Sequence, residues 1–351
     1  MRIIVIAGGL SNERNVSLAS GAMITSALRL RGHDVALVDY FIGEEDDVDF
    51  ESLAKREIPN EWTHVGIEAP NINDIIVKRP YSSNAVIGRN IVHLCEQADV
   101  TFLALHGGAG EDGRLQAMLD LLGIPYTGSD YLSSAIAMNK DVAKSIAVSE
   151  GINTPKWKKV FIADSNTVSE QMHNTPPVVV KIPNSGSSVG VYIVKTKSEL
   201  REALEKNIGK TVLIEEYIAG REIQMAFFED RPLPSIEIVA NSPFYNYASK
   251  YQKGIATEIT PAGITEEQER TMGIMLMKIA DAFHLYTYSR ADFIIDEDGK
   301  IWFIEINSLP GMTSTSLVPQ EAAAAGIDFG ELCERIAING IKRKTGLEAY
   351  S

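Results

Sequence analysis

Cysteine is almost absent, and so are the features that would tie this chain to a membrane or a nucleic acid. Only Cys95 and Cys333 occur, at no spacing that suits a metal clip or a redox pair. A disulfide framework is thereby excluded, and a reducing, cytoplasmic setting is expected. No apolar stretch approaches the roughly 20 residues that span a bilayer. The opening run Ile3–Ala7 is too short for a signal peptide and is ended by Gly8-Gly9. Basic residues are in deficit, 33 Lys and Arg against 47 Asp and Glu, for a formal net charge of −14. That argues against nucleic acid or an anionic membrane as a standing partner, because phosphate-rich surfaces attract basic patches. A small anionic ligand needs only a few local cations and stays open.

What is present suits a soluble globular protein with several cores. Of 351 residues, 45% are hydrophobic and 23% charged, and the length implies two or three domains. The first third alternates strand-like and helix-like segments. Ile3–Ala7, His33–Asp39 and Val100–Leu105 read as strands, Ser17–Leu30 and Leu115–Leu122 as helices. Strands separated by helices predict a parallel sheet. After Val178 the pattern becomes strand–loop–strand, over Val178–Lys181, Val191–Val194, Val212–Glu216 and Glu222–Phe228, which predicts antiparallel sheets. Helices are expected over Thr265–Phe283, with Thr265 and Gln268 as a capping box, and from Phe329 to Lys342. The expected fold class is α/β and α+β in three domains, 1–126, 127–218 and 219–351.

The segment from Arg290 to Asn307 is the most informative. Asp298-Gly299 predicts a two-residue hairpin turn, since Asp-Gly tolerates positive φ. Counting back along both strands sets Asp292 opposite Glu305 and Arg290 opposite Asn307, all four on one face. Two carboxylates directly opposed are destabilising. Either a divalent cation such as magnesium relieves the repulsion, or Arg290 neutralises it in a structural ion network. Both readings stand on the residues alone.

Two loops could hold an anion or a substrate. Lys181–Gly190 (KIPNSGSSVG) can turn backbone N–H groups toward phosphate, but lacks the helix and Gly-Lys-Ser/Thr ending of a P-loop. Gly8-Gly9-Leu10-Ser11 lacks the glycine spacing of a dinucleotide site, which disfavours a nicotinamide-dependent dehydrogenase. Glu13 stands just before a helix, where it can be a charge complement to the N-terminus. His106 follows a strand end, the usual ligand position in an open parallel sheet.

Taken together, six segments resemble the D-alanine–D-alanine ligases of the ATP-grasp superfamily. They are Gly8–Gly21, Leu105–Gly113, Gly123–Lys140, Lys181–Gly190, Phe244–Tyr251 and Arg290–Pro319. The resemblance implies a Rossmann-like, preATP-grasp domain with a parallel sheet, followed by a two-domain ATP-grasp fold. It implies ligation of two D-alanine molecules through a D-alanyl phosphate, with ATP and two Mg²⁺ ions, or Mn²⁺ in their place, for peptidoglycan precursor synthesis. By the same resemblance Glu13 meets the ammonium of the first D-alanine and His106 its carboxylate neighbourhood. Lys140, Lys181 and Lys250 meet phosphates, Glu215 and Glu222 adenine and ribose. Asp292, Glu305 and Asn307 match metal ligands, and Arg290 with the backbone of Gly311 matches an oxyanion site. Ser187 and Tyr251 match the pair that, with Glu13, joins mobile loops in a closed enzyme. Ser316 and Leu317 match the second subsite, and the family commonly forms homodimers.

Leucine at 317 packs on a methyl group and offers a hydroxyl nothing to bond. D-alanine is therefore the expected second substrate, although an apolar pocket rejects an added hydroxyl only by about a hundredfold. Asn246, Ile182, Ser289, Ala291, Thr315 and Asn139 depart from the family's common residues. Residues 41–90 match no pattern in it.

Overall fold

The computed structural model describes residues 1–66, 70–184, 186, 190–240, 256–343 and 345. Strand β1 (Arg2–Ala7) lies between β2 (Asp34–Asp39) and β3 (Val100–Leu103) in a parallel sheet. Residues Ile3–Ala7 are fully buried, as an uninterrupted apolar run requires. Helix α1 (Arg14–Leu30) packs on the sheet, and it starts three residues earlier than its apolar pattern. Gly21 permits the close approach, because a Cβ there would lie 2.7 Å from that of Ala7.

The described residues of 41–90 include two short α-helices, α2 (Phe50–Lys55) and α3 (Ile72–Lys78), and a 3-10 turn at Asn60–Trp62. Buried Arg79 ties the segment down. Its guanidinium donates to the carbonyls of Phe41 at 3.1 Å and Ala85 at 2.8 Å, and stacks 3.7 Å from the Phe41 ring centre. A desolvated cation–π contact of this kind contributes roughly 2 kcal/mol. Helix α4 (Ile91–Glu96) then leads into β3, and α5 (Arg114–Leu122), α6 (Tyr131–Met138) and α7 (Lys140–Ser149) follow.

A second sheet is antiparallel, in the order β4 (Trp157–Ile162), β7 (Lys210–Glu216), β5 (Val178–Lys181), β6 (Tyr192–Val194). Helices α8 (Ser165–Gln171) and α9 (Lys197–Glu205) close its core through Val168, Leu200 and Leu204. The third sheet is also antiparallel. Its path runs β11 (Ala256–Ile259), β10 (Ile236–Ala240), β8 (Gly220–Phe228), β12 (Tyr288–Asp296), β13 (Ile301–Asn307), with the short β9 (Arg231–Pro232) paired to β8. Helix α10 (Glu266–Ala282) lays Met272, Leu276 and Ile279 on it. The expected capping box is present: Thr265 accepts from Gln268 N–H, and the Gln268 side chain accepts from Thr265 N–H. Helices α11 (Leu317–Ala324) and α12 (Phe329–Ile341) end the described chain. Leu332, Cys333, Ile336 and Ala337 of α12 return to the core of the first sheet.

The β12–β13 hairpin differs from its sequence reading in two compensating ways. Its turn has three residues rather than two: Asp296 N–H donates to the Lys300 carbonyl, and Gly299 takes the positive-φ position at 80°. The Asp296 carboxylate fixes this turn by accepting from Asp298 N–H at 3.1 Å and Lys300 N–H at 2.8 Å. The resulting register pairs Phe293 with Phe303, and a bulge then shifts it by one. Asp292 thus still faces Glu305, and Arg290 faces Asn307. Phe303 goes into the core against Phe293, whereas Trp302 pairs with Ile294 and donates to Asp296.

Candidate active site

Directly paired residues share a face, so β8 and β13 flank the β12 face that carries Arg290 and Asp292. Gln224 is opposite Asp292, Glu222 opposite Ile294 and Ala226 opposite Arg290. Arg290 forks onto Asp292, with Nε 2.9 Å from Oδ1 and Nη2 3.1 Å from Oδ2. Burial works against the guanidinium charge, but the surrounding carboxylates, Asp292 foremost with Glu321 and Glu305, together raise the Arg290 pKa. Glu305 meets a different cation, Lys140, at 3.2 Å. Each carboxylate of the opposed pair therefore has a basic partner, while Asn307 adds an amide oxygen on the same face.

Lys140 comes from the first turn of α7. Asn139 caps that helix, its side-chain oxygen accepting from Asp141 and Val142 N–H. One turn on, Lys144 is fully buried and lies 3.1 Å from Glu215 Oε1, and Lys181 lies 2.8 Å from Oε2 of the same carboxylate. Burial lowers the Lys144 pKa to about 8 against the opposing pull of Glu215. Glu215 thus holds two ammonium groups, and Glu222 stands on the neighbouring sheet, where Gln224 donates to it at 3.4 Å.

The first sheet contributes through the ends of its strands. His106 is buried, and both ring nitrogens are engaged. Nδ1 lies 3.1 Å from the Leu309 carbonyl, which can only accept, so Nδ1 donates. Nε2 then accepts from Ser20 Oγ at 3.2 Å, while Ser20 in turn accepts from Met312 N–H at 3.3 Å. Burial also lowers the His106 pKa, which favours this neutral form. Glu13 makes no side-chain cap on α1. Its carboxylate lies instead between two glycines: a Cβ on Gly107 would be 3.3 Å from Oε2, and one on Gly186 only 2.8 Å. Glu111 accepts from Gly107 N–H at 2.8 Å, and burial pushes its pKa up to about 7.

The last part is the turn before α11. A Cβ on Gly311 would lie 2.7 Å from Ser316 Oγ, so any larger residue there would displace that hydroxyl. Ser316 Oγ accepts from Thr313 N–H at 2.9 Å, and Leu317 packs with Ile236 and Ile238. One cavity reaches Glu13, His106, Lys140, Arg290, Glu305, Asn307, Gly311, Ser316 and Leu317. Asp292 and Glu222 touch residues of its wall, Arg290 and Gln224, whereas Lys181 and Glu215 are not among its lining residues. Ser187, Lys250 and Tyr251, together with Asn246, lie outside the described residues.

Sequence reasoning missed Lys144, Gln224 and Ser20. For Lys144 the signal was its place four residues after Lys140, on the same helix face. Gln224 shares the period of two with Glu222 on a strand. Ser20 carries no signal of its own, because only the fold brings it to His106 and Met312.

A parallel sheet followed by two antiparallel sheets, with an opposed carboxylate pair on the last, is the arrangement expected of an ATP-grasp enzyme. Family models agree. That for the D-ala D-ala ligase N-terminus matches residues 2–129, and that for the C-terminus matches residues 146–338. The chain belongs to the D-alanine–D-alanine ligase family. A D-alanine–D-alanine ligase of Pediococcus pentosaceus is 39% identical over 343 residues, covering 96% of this chain and 97% of the relative. One of Lacticaseibacillus casei is 38% identical, over 97% and 95%. Among solved structures, that ligase from Bacillus anthracis aligns with a TM-score of 0.75 and 31% identity, over 97% of this chain and 98% of its own. A structure of the same enzyme complexed with ATP aligns at 0.71 and 29%, over 97% of each chain.

Proposed function

We infer that this protein joins two molecules of D-alanine, with ATP as the energy source, and so supplies a dipeptide for peptidoglycan. The reading is carried by one observation: the family match runs along nearly the whole chain, and a cavity that Glu13, His106, Lys140, Arg290, Ser316 and Leu317 line supports it. In this reading the carboxylate of the first D-alanine attacks the γ-phosphorus of ATP and ADP departs. The amine of the second attacks the resulting acyl phosphate, loses a proton, and inorganic phosphate leaves.

The roles proposed for single residues follow from charge and position. Glu13, held between Gly107 and Gly186, receives the first substrate's ammonium, and His106 orders the loop around its carboxylate. Lys140 and Lys181 receive phosphate oxygens, Lys181 being steadied by Glu215. Glu215 and Glu222 border the nucleotide. Arg290 and the N–H of Gly311 stabilise the oxyanion of the tetrahedral species, the electrostatic term expected to dominate. Ser316 and Leu317 hold the carboxylate and methyl of the second D-alanine. Lys250 also approaches phosphate, and Ser187 and Tyr251, with Glu13, take part in closing the site against water, which would otherwise hydrolyse the acyl phosphate.

Two carboxylates and an amide oxygen on one face are hard donors, and the direct opposition of Asp292 and Glu305 fits them to a magnesium ion. Asp292, Glu305 and Asn307 would hold it, and it would supply positive charge to the phosphate oxygens. Manganese has similar ligand tastes. Residues 1–126, 127–218 and 219–351 are proposed as the substrate, central and catalytic domains, one sheet to each. A homodimer and a cytoplasmic location complete the reading. Among the described residues no helix is long and apolar enough to cross a membrane.

The test is ADP release from purified protein with ATP and Mg²⁺, offered D-alanine alone and then mixed with D-serine or D-lactate, with products identified by mass. D-alanyl-D-alanine is the expected main product. No turnover with any D-amino acid would overturn the reading.

A further inference from the structure

The wall of the cavity beside Leu317 carries a charge that the apolar reading of this subsite does not include. Glu258 on β11 is paired directly with Ile238 on β10, so the two side chains share a face. Ile238 packs against Leu317, and Glu258 and Leu317 border the same cavity, with Ser316 and Arg290. The carboxylate is held in place from α11. Gln320 Nε2 donates to Glu258 Oε2 at 2.5 Å and also lies 3.4 Å from the Ser316 carbonyl. One amide thus ties Glu258 to the turn that begins with Ser316 and Leu317. An amide is neutral, so it orients the carboxylate and leaves its negative charge in place.

From this geometry we propose that Glu258 is a specificity-determining residue, selecting a second substrate that carries an α-ammonium group over one that carries an α-hydroxyl. The inference rests on the ligase reading and deepens it. An α-amino acid arrives as a zwitterion whose ammonium is attracted to the Glu258 carboxylate. An α-hydroxy acid arrives as a net anion with no cationic group, and the same carboxylate repels it. Discrimination of this kind uses repulsion of the wrong partner as well as attraction of the right one. Leu317 alone supplies neither, since a methyl group is common to both substrates. Arg290 is also near, but it acts on the carbonyl oxygen that both reactions share.

The experiment offers ATP, Mg²⁺ and an equimolar mixture of D-alanine and D-lactate to the full-length wild type, to Glu258→Gln and to Glu258→Asp. The ratio of dipeptide to depsipeptide is read by mass. Glu258→Gln keeps the shape and the contact with Gln320 while removing the charge, and should move that ratio at least tenfold toward the depsipeptide. It should also raise the KM for the second D-alanine, leaving the KM for ATP and for the first D-alanine within twofold. Glu258→Asp keeps the charge and should retain most of the preference. Glu258→Ser, which also lacks the charge, serves as the neutral variant if the amide proves unstable by its Tm. An unchanged ratio in a folded neutral variant, or equal shifts in the Gln and Asp variants, would overturn the proposal. Absence of any dipeptide from the wild type would instead count against the ligase reading itself.

Discussion

Gly186 stands against the carboxylate of Glu13, so closely that a side-chain carbon at 186 would lie 2.8 Å from Oε2. The two residues come from different sheets' loops, and the contact brings the loop after β5 to the loop after β1. Gly186→Ala would push the Glu13 carboxylate aside. Because the clash is with the far end of a side chain, the fold should survive with an unchanged Tm, while kcat/KM for the first D-alanine falls about tenfold, roughly 1.4 kcal/mol of binding. Initial-rate kinetics at saturating ATP measure it, and an unaltered KM for the first D-alanine would remove Glu13 from that site.

Lys144 and Lys181 share Glu215, and Lys144 is the more deeply buried of the two. Lys144→Met keeps the volume and removes one charge. Lys181 then has Glu215 to itself and is drawn more tightly to it, away from phosphate. The KM for ATP should rise about tenfold while both D-alanine constants hold. Glu215 keeps one partner, so the loss of stability should be well below the roughly 3–5 kcal/mol that follows when a buried charge is left unpaired. Equal changes in all three constants would point to general misfolding instead.

Ser20 connects the ring of His106 to the backbone of Met312. Ser20→Ala leaves the Met312 N–H without its acceptor and frees His106 to rotate. Urea unfolding should show a loss of about 1–3 kcal/mol, the usual cost of an unsatisfied buried group. Activity should fall as well, because the turn from Leu309 to Met312 carries Gly311. A stability loss with full activity would make the link purely structural.

Glu111 gives a pH dependence whose sign is fixed by burial. Its folded pKa is raised from 4.5 to about 7, so the native state holds a proton that the unfolded chain releases. Stability from this group is therefore present at low pH and is lost as pH rises from the unfolded value through about 7. The full swing is on the order of 3 kcal/mol. Glu111→Gln stays neutral and its carbonyl oxygen can still accept from Gly107. The variant should match the wild type near pH 5 and exceed its Tm near pH 9, as calorimetry at both pH values would record. A variant less stable than wild type at pH 9 would contradict the assignment.

Much of this architecture is legible in the sequence because it rests on local signals. The apolar run Ile3–Ala7 and the Thr265/Gln268 capping box appear as read. The pairing of Asp292 with Glu305 also appears, but by a route the sequence did not disclose. Asp-Gly is compatible with turns of two and three residues. The choice was made by the Asp296 carboxylate, whose backbone bonds favour the longer turn, and a bulge restored the register. Residues 41–90 were opaque for another reason. Arg79 links Phe41 to Ala85 as an internal staple, and nothing in residue type distinguishes it from a solvated arginine. The lysine pair on Glu215 and the serine beside His106 are tertiary facts, set by which strands and helices meet.

The return of α12 to the first sheet has a consequence for how the molecule is made. Leu332, Ile336 and Ala337 fill the core that β1 opens, Gly340 lets the helix close on Val100, and Glu334 pairs with Arg31 at 2.6 Å. The first sheet therefore depends on residues that are made long after its own strands. A nascent chain holding only the first sheet still exposes the apolar surface meant for α12, and such surface is prone to aggregate. The core of the first sheet is closed only when a helix from far along the sequence has packed onto it.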